Sequence, residues 1–216
     1  MNIAIIGAGN VGKALATAFS RAGHTVIVAS RDLEDAGSLA ATTGARIAPT
    51  NASAANAGEI VVLAVPFASV PEIAAEIAEA VAGKPVIDVT NRMSFGANGP
   101  EIDTTSSNAE DLAALLPGAN VVKAFNTLFA SHQGDPIKDG VQHDGFVAAD
   151  DAIAKASVIE LIASIGLDPI DVGTLARARQ LEGLAFLNIS LNIAHNGSWK
   201  SAWKLVDAPE TVKAAA

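Results

Sequence analysis

Apolar positions along this chain repeat in two rhythms, short unbroken runs and longer stretches with one apolar face. Ile3, Ile5 and Ile6 make a run with no polar face, the pattern of a strand covered on both sides. Val11, Leu15, Ala18, Phe19 and Ala22 then share one face of a helix. Gly23-His24 stops it, and residues 25–29 form a second strand. A helix follows over residues 32 to about 43, with Asp32 as its cap and Gly44 as its stop. Residues 46–48 make a brief strand, 52–58 one or two helical turns, and 59–65 a buried strand closed by Pro66.

Ser69-Val70-Pro71-Glu72 carries a capping box and an early proline ahead of an apolar face of Val70, Ile73, Ala74, Ile77, Ala78 and Val81. Residues 85–89 read as a strand and 90–98 as a loop. A second capping box at Ser107 to Glu110 opens a helix with Leu112, Leu115 and Leu116. Residues 120–125 are a strand and 131–145 a polar loop. A strand at 146–149, a helix at 151–165, a strand at 168–172 and a long helix from 174 to about 195 complete the chain. This alternation predicts an α/β fold, a Rossmann-type doubly wound and mostly parallel sheet with a C-terminal helical extension. The expected division is a dinucleotide-binding domain over 1–173 and an extension over 174–216 that packs on that domain or on a partner subunit.

The glycines add chemistry to this pattern. Gly7-Ala8-Gly9-Asn10-Val11-Gly12 sits between the first strand and its helix, the dinucleotide-binding spacing in its confirming context. Gly7 turns the chain, Gly9 admits a pyrophosphate close to the backbone, and Gly12 lets the helix lie against the sheet. NAD binders place an acid about 20 residues further on, at the end of the second strand, to hold the ribose 2′-hydroxyl. Ser30-Arg31 stands there instead. A hydroxyl and a guanidinium suit a 2′-phosphate, so the expected cofactor is NADP(H).

Composition narrows the class. The chain has 216 residues, half of them hydrophobic and 17% charged, enough for a real core. A net charge of −9, without basic runs or aromatic platforms, argues against nucleic acid and anionic membrane as partners. With no cysteine there is no disulfide or zinc–thiolate site, and no metal site is expected. The first residues enter a strand without a charged leader, and no apolar run nears the roughly 18 residues of a membrane span, so a cytoplasmic protein is expected.

In such sheets ligands lie outside the carboxyl ends of the strands. That rule selects Ala64, Val65 and Pro66 beneath the cofactor, Thr90 and Asn91 toward the nicotinamide ribose or carboxamide, and Asn126 and Thr127 beside the ring. Asn126 is one catalytic candidate. His132, beyond it, is the other, either at the open face of the nicotinamide or as a solvated loop residue. Lys123 lies inside a buried strand and is either a catalytic amine, one half of an ion pair or a side chain with an exit to solvent. Arg179 and Glu182 have the spacing of a helical pair. Asn188, Asn192 and His195 form a polar stripe on a helix otherwise apolar all round, as expected of a helix between the sheet and a second copy in a homodimer.

Gly7 to Gly12, Gly23-His24, Ser30-Arg31, Val65-Pro66, Val122 to Thr127, Asp171 to Leu175 and Ala178 to Glu182 form a pattern running over nearly the whole chain. It resembles the coenzyme F420-dependent NADP oxidoreductase family and is also similar to the soluble NADPH-binding module of the STEAP metalloreductases. The resemblance implies an NADP site at Ala8, Gly9, Asn10, Val11, Ser30, Arg31 and Val65, with residues from Asn126 to Ala130 near the nicotinamide. Two departures stand out. Family members often add a second cation after the Arg31 position, where this chain reads Asp32-Leu33-Glu34-Asp35, and Asn126 stands where deazaflavin users carry a histidine.

The β-hydroxyacid dehydrogenases, which share this type of first domain, place a lysine on the long helix. Residues 182–196 contain none. The expected activity is therefore an NADP(H)-dependent oxidoreductase passing hydride between NADPH and a flavin-like or deazaflavin (F420) co-substrate. A non-catalytic NADP(H) redox sensor and a soluble metalloreductase-like module stand as alternatives.

Overall fold

A computed structural model describes residues 1–97 and 99–209; the predicted loop's last residue, Asn98, and the last seven of the extension lie outside them. Strand β1 (Asn2–Ile6), helix α1 (Asn10–Arg21) and strand β2 (Thr25–Ala29) open the fold, followed by α2 (Leu33–Thr43) and β3 (Arg46–Ile47). Next come α3 (Asn51–Ala57), β4 (Ile60–Leu63), α4 (Val70–Ile77) and β5 (Pro85–Asp88). A hairpin of β6 (Met93–Gly96) and β7 (Gly99–Ile102) leads to α5 (Asn108–Leu115) and β8 (Asn120–Ala124). The last third holds α6 (Ala130–Gln133), β9 (Ile137–Lys138), β10 (Val141–Gln142), β11 (Asp144–Ala149), α7 (Ala152–Ser164), β12 (Asp168–Asp171) and α8 (Ala178–Ala194).

Eight strands form one sheet in the order β12-β11-β8-β5-β4-β1-β2-β3. Every neighbouring pair is parallel except β11 and β8, which run antiparallel with Val147 opposite Ala124. The Rossmann-type expectation stands: order reverses between β1 and β4, and helices cover both faces. Leu15, Phe19, Val158 and Leu161 pack on one face. Ile73, Ile77, Leu112 and Ala178 pack on the other. Burial of both faces explains why the strands read as unbroken apolar runs rather than alternating ones.

Several local expectations are corrected. Residues 93–96 of the expected loop at 90–98 pair with 99–102 as a hairpin, and 130–142 hold a short helix and a second hairpin. The long helix begins at Ala178, after a 3-10 turn over Leu175–Arg177. Ser69 makes no side-chain cap, because a 3-10 turn over Phe67–Ser69 already precedes α4. At α5 the Ser107 Oγ accepts from Glu110 N at 3.2 Å, while the Glu110 carboxylate accepts from the Ser107 hydroxyl (2.8 Å) and from Arg179, not from the Ser107 backbone N–H that would close the box. The reciprocal box is at Thr50 and Ser53, at the head of α3. On the outer side of helix α8, Leu187 and Leu191 are each 47% exposed in the single chain.

A buried ion cluster ties α8 to the sheet. Lys123 is fully buried, and its ammonium donates to Asp88 Oδ2 (2.7 Å), Glu182 Oε1 (2.7 Å) and Thr90 O (2.5 Å). Glu182 also accepts from the backbone N–H of Arg92 (2.8 Å) and of Asn108 (2.9 Å). The expected Arg179–Glu182 pair does not form, because Arg179 makes a two-pronged contact with Glu110 at 2.7 and 2.8 Å. Burial pushes the Glu182 carboxyl above its ordinary value, against the pull of Lys123. Removing the cation strands two buried carboxylates. Lys123→Met is expected to cost about 3–5 kcal/mol in urea unfolding, and a loss below ~1 kcal/mol would show that the cluster does not hold α8.

Candidate active site

The parallel strands end on one rim, and two cavities open there on either side of the turn from β1 to α1. Gly7 adopts φ +109°, and a Cβ on it would come within 2.3 Å of Ala64 O. On Gly12 a Cβ would come within 2.1 Å of Gly7 O, so neither position admits a side chain. At Gly9 a Cβ would meet nothing within 4 Å. That open space lies at the head of α1, whose cap residue Gly9 has no side-chain cap bond and whose first turn has no acid. Free N–H groups at a helix start facing open space are the fit that a pyrophosphate requires.

The smaller cavity, of about 290 Å³, is lined on one side by Gly7, Ala8 and Gly9, on another by Ser30 and Arg31, and on a third by Ala64, Val65 and Pro66. Eight predicted site residues thus converge. Ser30 Oγ accepts from Asp32 N (3.1 Å), fixing the loop after β2. Arg31 is exposed and makes no hydrogen bond or ion pair among the described residues. Four carboxylates also line this cavity, Asp32, Asp35, Glu72 and Glu76. Three are engaged: Asp32 caps α2 through Asp35 N (3.0 Å), Asp35 pairs with Lys13 (2.5 Å), and Glu76 accepts from Asn51 (2.7 Å).

The larger cavity, of about 370 Å³, touches the same turn through Val11 and extends to α8 and the β6–β7 hairpin. Asn91, Asn126 and Ala130 lie on its wall, as does Thr127. Asn126 Nδ2 donates to Asn91 Oδ1 (2.9 Å), while Asn126 Oδ1 is buried with no partner among the described residues. Phe125, which precedes it, is buried in the left-handed region at φ 63°, an outlier for a bulky side chain of the kind found at functional sites. No Asp, Glu, Lys, Arg or His among the described residues lines this cavity.

Four predicted residues are placed elsewhere. Asn10 and Gly12 belong to the first turn of α1 and line neither cavity. Thr90 lies under the rim, because its hydroxyl donates to Asp88 (2.7 Å) and accepts from Asn108 (2.9 Å). His132 is buried away from the cavity: one ring nitrogen, Nε2, meets Lys200 O at 2.7 Å, and the ring packs edge-on against His143 at 4.2 Å. His24 bonds Ser164 Oγ (2.8 Å) on the far side of α1, a structural role as expected. The sequence reading missed Gln133, Trp199 and the hairpin residues Met93 and Phe95, all on the wall of the larger cavity.

This fold, with a glycine turn, an open helix head and a cation at the end of the second strand, defines an NADP-dependent oxidoreductase of the Rossmann class. The chain belongs to the F420-dependent NADP oxidoreductase family, whose model (NADP oxidoreductase coenzyme F420-dependent) matches residues 2–92. It is 35% identical over 210 residues to the F420-dependent NADP reductase of Methanothermobacter marburgensis, covering 89% of this chain and 93% of that protein. A putative F420-dependent NADP reductase from Arthrobacter sp. FB24 superposes with a TM-score of 0.84 at 32% identity, covering 95% of this chain and 99% of that one. The rat metalloreductase STEAP3 is 33% identical over 187 residues, 84% of this chain but 36% of that protein. The chain thus spans about a third of that metalloreductase's length. No described helix is long and apolar enough to cross a membrane.

Burial holds the His143 imidazole below its ordinary value, and the neighbouring His132 adds to the effect. The folded protein therefore binds fewer protons at this site than the unfolded chain, and stability falls as pH drops through the ordinary imidazole range. Urea midpoints followed from neutral to mildly acidic pH should decline, and less steeply for His143→Gln. Equal slopes in the two proteins would remove His143 from the explanation.

Proposed function

We propose that this protein transfers hydride between NADPH, held across the glycine turn, and a flavin-like or deazaflavin ring of the F420 type in the larger cavity. The observation that carries this reading is the pairing of a cavity bearing the glycine turn and Arg31 with one lined by no charged side chain among the described residues, on opposite sides of one turn. In this arrangement the Gly7 to Gly9 backbone receives the pyrophosphate, Ser30 and Arg31 receive the 2′-phosphate, and Val65 and Pro66 support the adenosine half. Asn126, held by Asn91 through its Nδ2 at 2.9 Å, lies on the wall that faces the nicotinamide in this reading.

When bound, NADPH supplies a hydride to the acceptor ring, which takes a proton from solvent to complete the two-electron reduction. The chain contributes positioning and dryness: apolar walls exclude water while the turn and the Asn91–Asn126 pair set orientation. Reduction of a carbonyl or imine usually needs a positioned acid. The asparagine, glutamine and threonine side chains of this wall do not titrate near neutral pH.

Stopped-flow mixing of NADPH-loaded protein with deazaflavin or FMN should show oxidation of the nicotinamide in step with bleaching of the acceptor. Failure with every ring acceptor tried would count against hydride transfer. Arg31→Ala should weaken NADPH by about 1.5–3 kcal/mol, the scale of a charged hydrogen bond, and leave NADH nearly unchanged. Equal losses for the two nucleotides in calorimetry would take the 2′-phosphate away from Arg31.

A further inference from the structure

The buried cluster around Lys123 holds more negative charge than positive. Its ammonium uses all three hydrogens, on Asp88 Oδ2 (2.7 Å), Glu182 Oε1 (2.7 Å) and Thr90 O (2.5 Å). Every hydrogen bond that the two carboxyl groups make is one they receive. Asp88 Oδ1 accepts from the N–H (2.9 Å) and the hydroxyl (2.7 Å) of Thr90. Glu182 accepts from the N–H groups of Arg92 (2.8 Å) and Asn108 (2.9 Å). A protonated carboxyl group needs an acceptor for its hydrogen, and neither group finds one among the described residues. Burial works against an ionised Glu182. Asn108, however, is the first residue of α5, so the positive end of that helix faces the carboxylate. Two carboxylates against one ammonium leave one negative charge in excess.

This charge lies beneath the larger cavity. Val89 follows Asp88, Asn91 follows Thr90, Asn126 is three residues past Lys123 and Ala185 is three past Glu182, and all four line the wall. Solvent does not reach the cluster, since Lys123, Asp88 and Glu182 are each at most 1% exposed. No charged side chain among the described residues lines the cavity to offset it. The neighbouring contacts of Arg92 with Asp103 and Asp111, and of Arg179 with Glu110, stand partly in water and are screened there.

The oxidised and reduced nucleotides carry the same phosphates and differ by one hydride. The nicotinamide ring of NADP+ is cationic and that of NADPH is neutral. The hydride, two electrons with a proton, passes to the acceptor ring, which adds a second proton from solvent. We propose, resting on the placement of the nicotinamide at the Asn126 wall in the reading above, that Asp88 and Glu182 tune the bound nucleotide through their excess negative charge. That charge favours the cationic ring over the neutral one, so NADP+ is held more tightly relative to NADPH and hydride is driven outward, toward the acceptor. Neither carboxylate touches the nucleotide. Both act across the cavity floor, with Lys123 cancelling one charge and leaving the other to be felt.

The test is the quotient of two dissociation constants, NADPH over NADP+, read by nucleotide fluorescence and by calorimetry. Glu182→Gln and Asp88→Asn each remove one negative charge. Each should lower the quotient about tenfold, the scale of one charge about 10 Å away at a protein's effective dielectric. The potential of the bound couple should rise with it by about 30 mV. Glu182→Asp keeps the charge on a shorter arm and should leave the quotient within about threefold of its original value. Asp88→Asn, on the sheet rather than on α8, carries the test if Glu182→Gln does not fold. A role confined to holding α8 in place would move both nucleotides together, and an unmoved quotient in the neutral variants overturns the proposal. So does a shift in Glu182→Asp as large as that in Glu182→Gln. An unmoved quotient alongside bleaching of FMN by NADPH would sink the proposal and leave hydride transfer standing. A lowered quotient in a protein that reduces no ring acceptor would keep the tuning and sink the hydride reading.

Discussion

An ammonium group with no contact to water must be neutralised where it lies, and that constraint on Lys123 shapes the active rim. Lys123 and Asp88 are register partners on adjacent strands β8 and β5, so the sheet itself supplies the first counter-charge. The second comes from Glu182, 59 residues further along the chain, whose carboxylate also receives the N–H groups of Arg92 and Asn108. Two strands, the loop after β5, the start of α5 and helix α8 thereby meet at one cluster. Ala185, Asn188 and Ile189 follow Glu182 on the same helix and form the far wall of the larger cavity. Asn91 and Asn126 lie three residues beyond Asp88 and Lys123 on the near side. Both sides of the cavity are thus referred to the same buried charges.

The two cavities differ in how they use charge. Around the glycine turn, charge is plentiful and mostly spoken for, with Lys13, Asn51 and a helix cap occupying three of four carboxylates. Arg31 is left as a cation without an ion pair on that wall among the described residues. Across the turn, aromatic and aliphatic surface dominates, and the polar groups are amides whose orientation is set by neighbours. Under the proposed function, that division holds a charged carrier in one place while a ring co-substrate meets it in the other.

The first thirty residues were legible because their information is local. Strand, glycine turn, helix and second strand follow without interruption, and the glycine spacing is itself the signal, although the clash that excludes a side chain at Gly7 is with the distant Ala64. The cap at Asp32 and the stop at Gly44 were readable on the same grounds, with Gly44 at φ 73° as a left-handed stop requires. Lys123 was recognisable as a residue in need of a partner, but Asp88 and Glu182 reach it only through the topology. Arg179 was assigned to its helical neighbour because spacing along a helix is visible and the approach of α5 is not. The hairpin at 93–102 escaped notice because Phe95, 70% exposed, does not alternate with buried positions. Gln133 and Trp199 gave no signal, since their relation to the cavity depends on how the last segment folds back. Thr90 and His132 stood at suitable positions in the chain, but prior hydrogen bonds had claimed both.

Strand direction was also invisible, since an apolar run reads alike either way, and the reversal at β11 has a practical result. Because β11 and β12 run opposite to β8, their starting ends lie on the same side as the finishing ends of the parallel strands. Asp144 and Asp168 at those starts hold Lys204 of the returning tail, so the segment carrying Trp199 is moored from both sides. The short connection at Asp150 and Asp151 falls on the opposite edge of the sheet, remote from the glycine turn. Lengthening that bend, or grafting a reporter there, would leave the reactive edge undisturbed, whereas an insertion between Gly134 and His143 would shift the moorings and the aromatic wall with them.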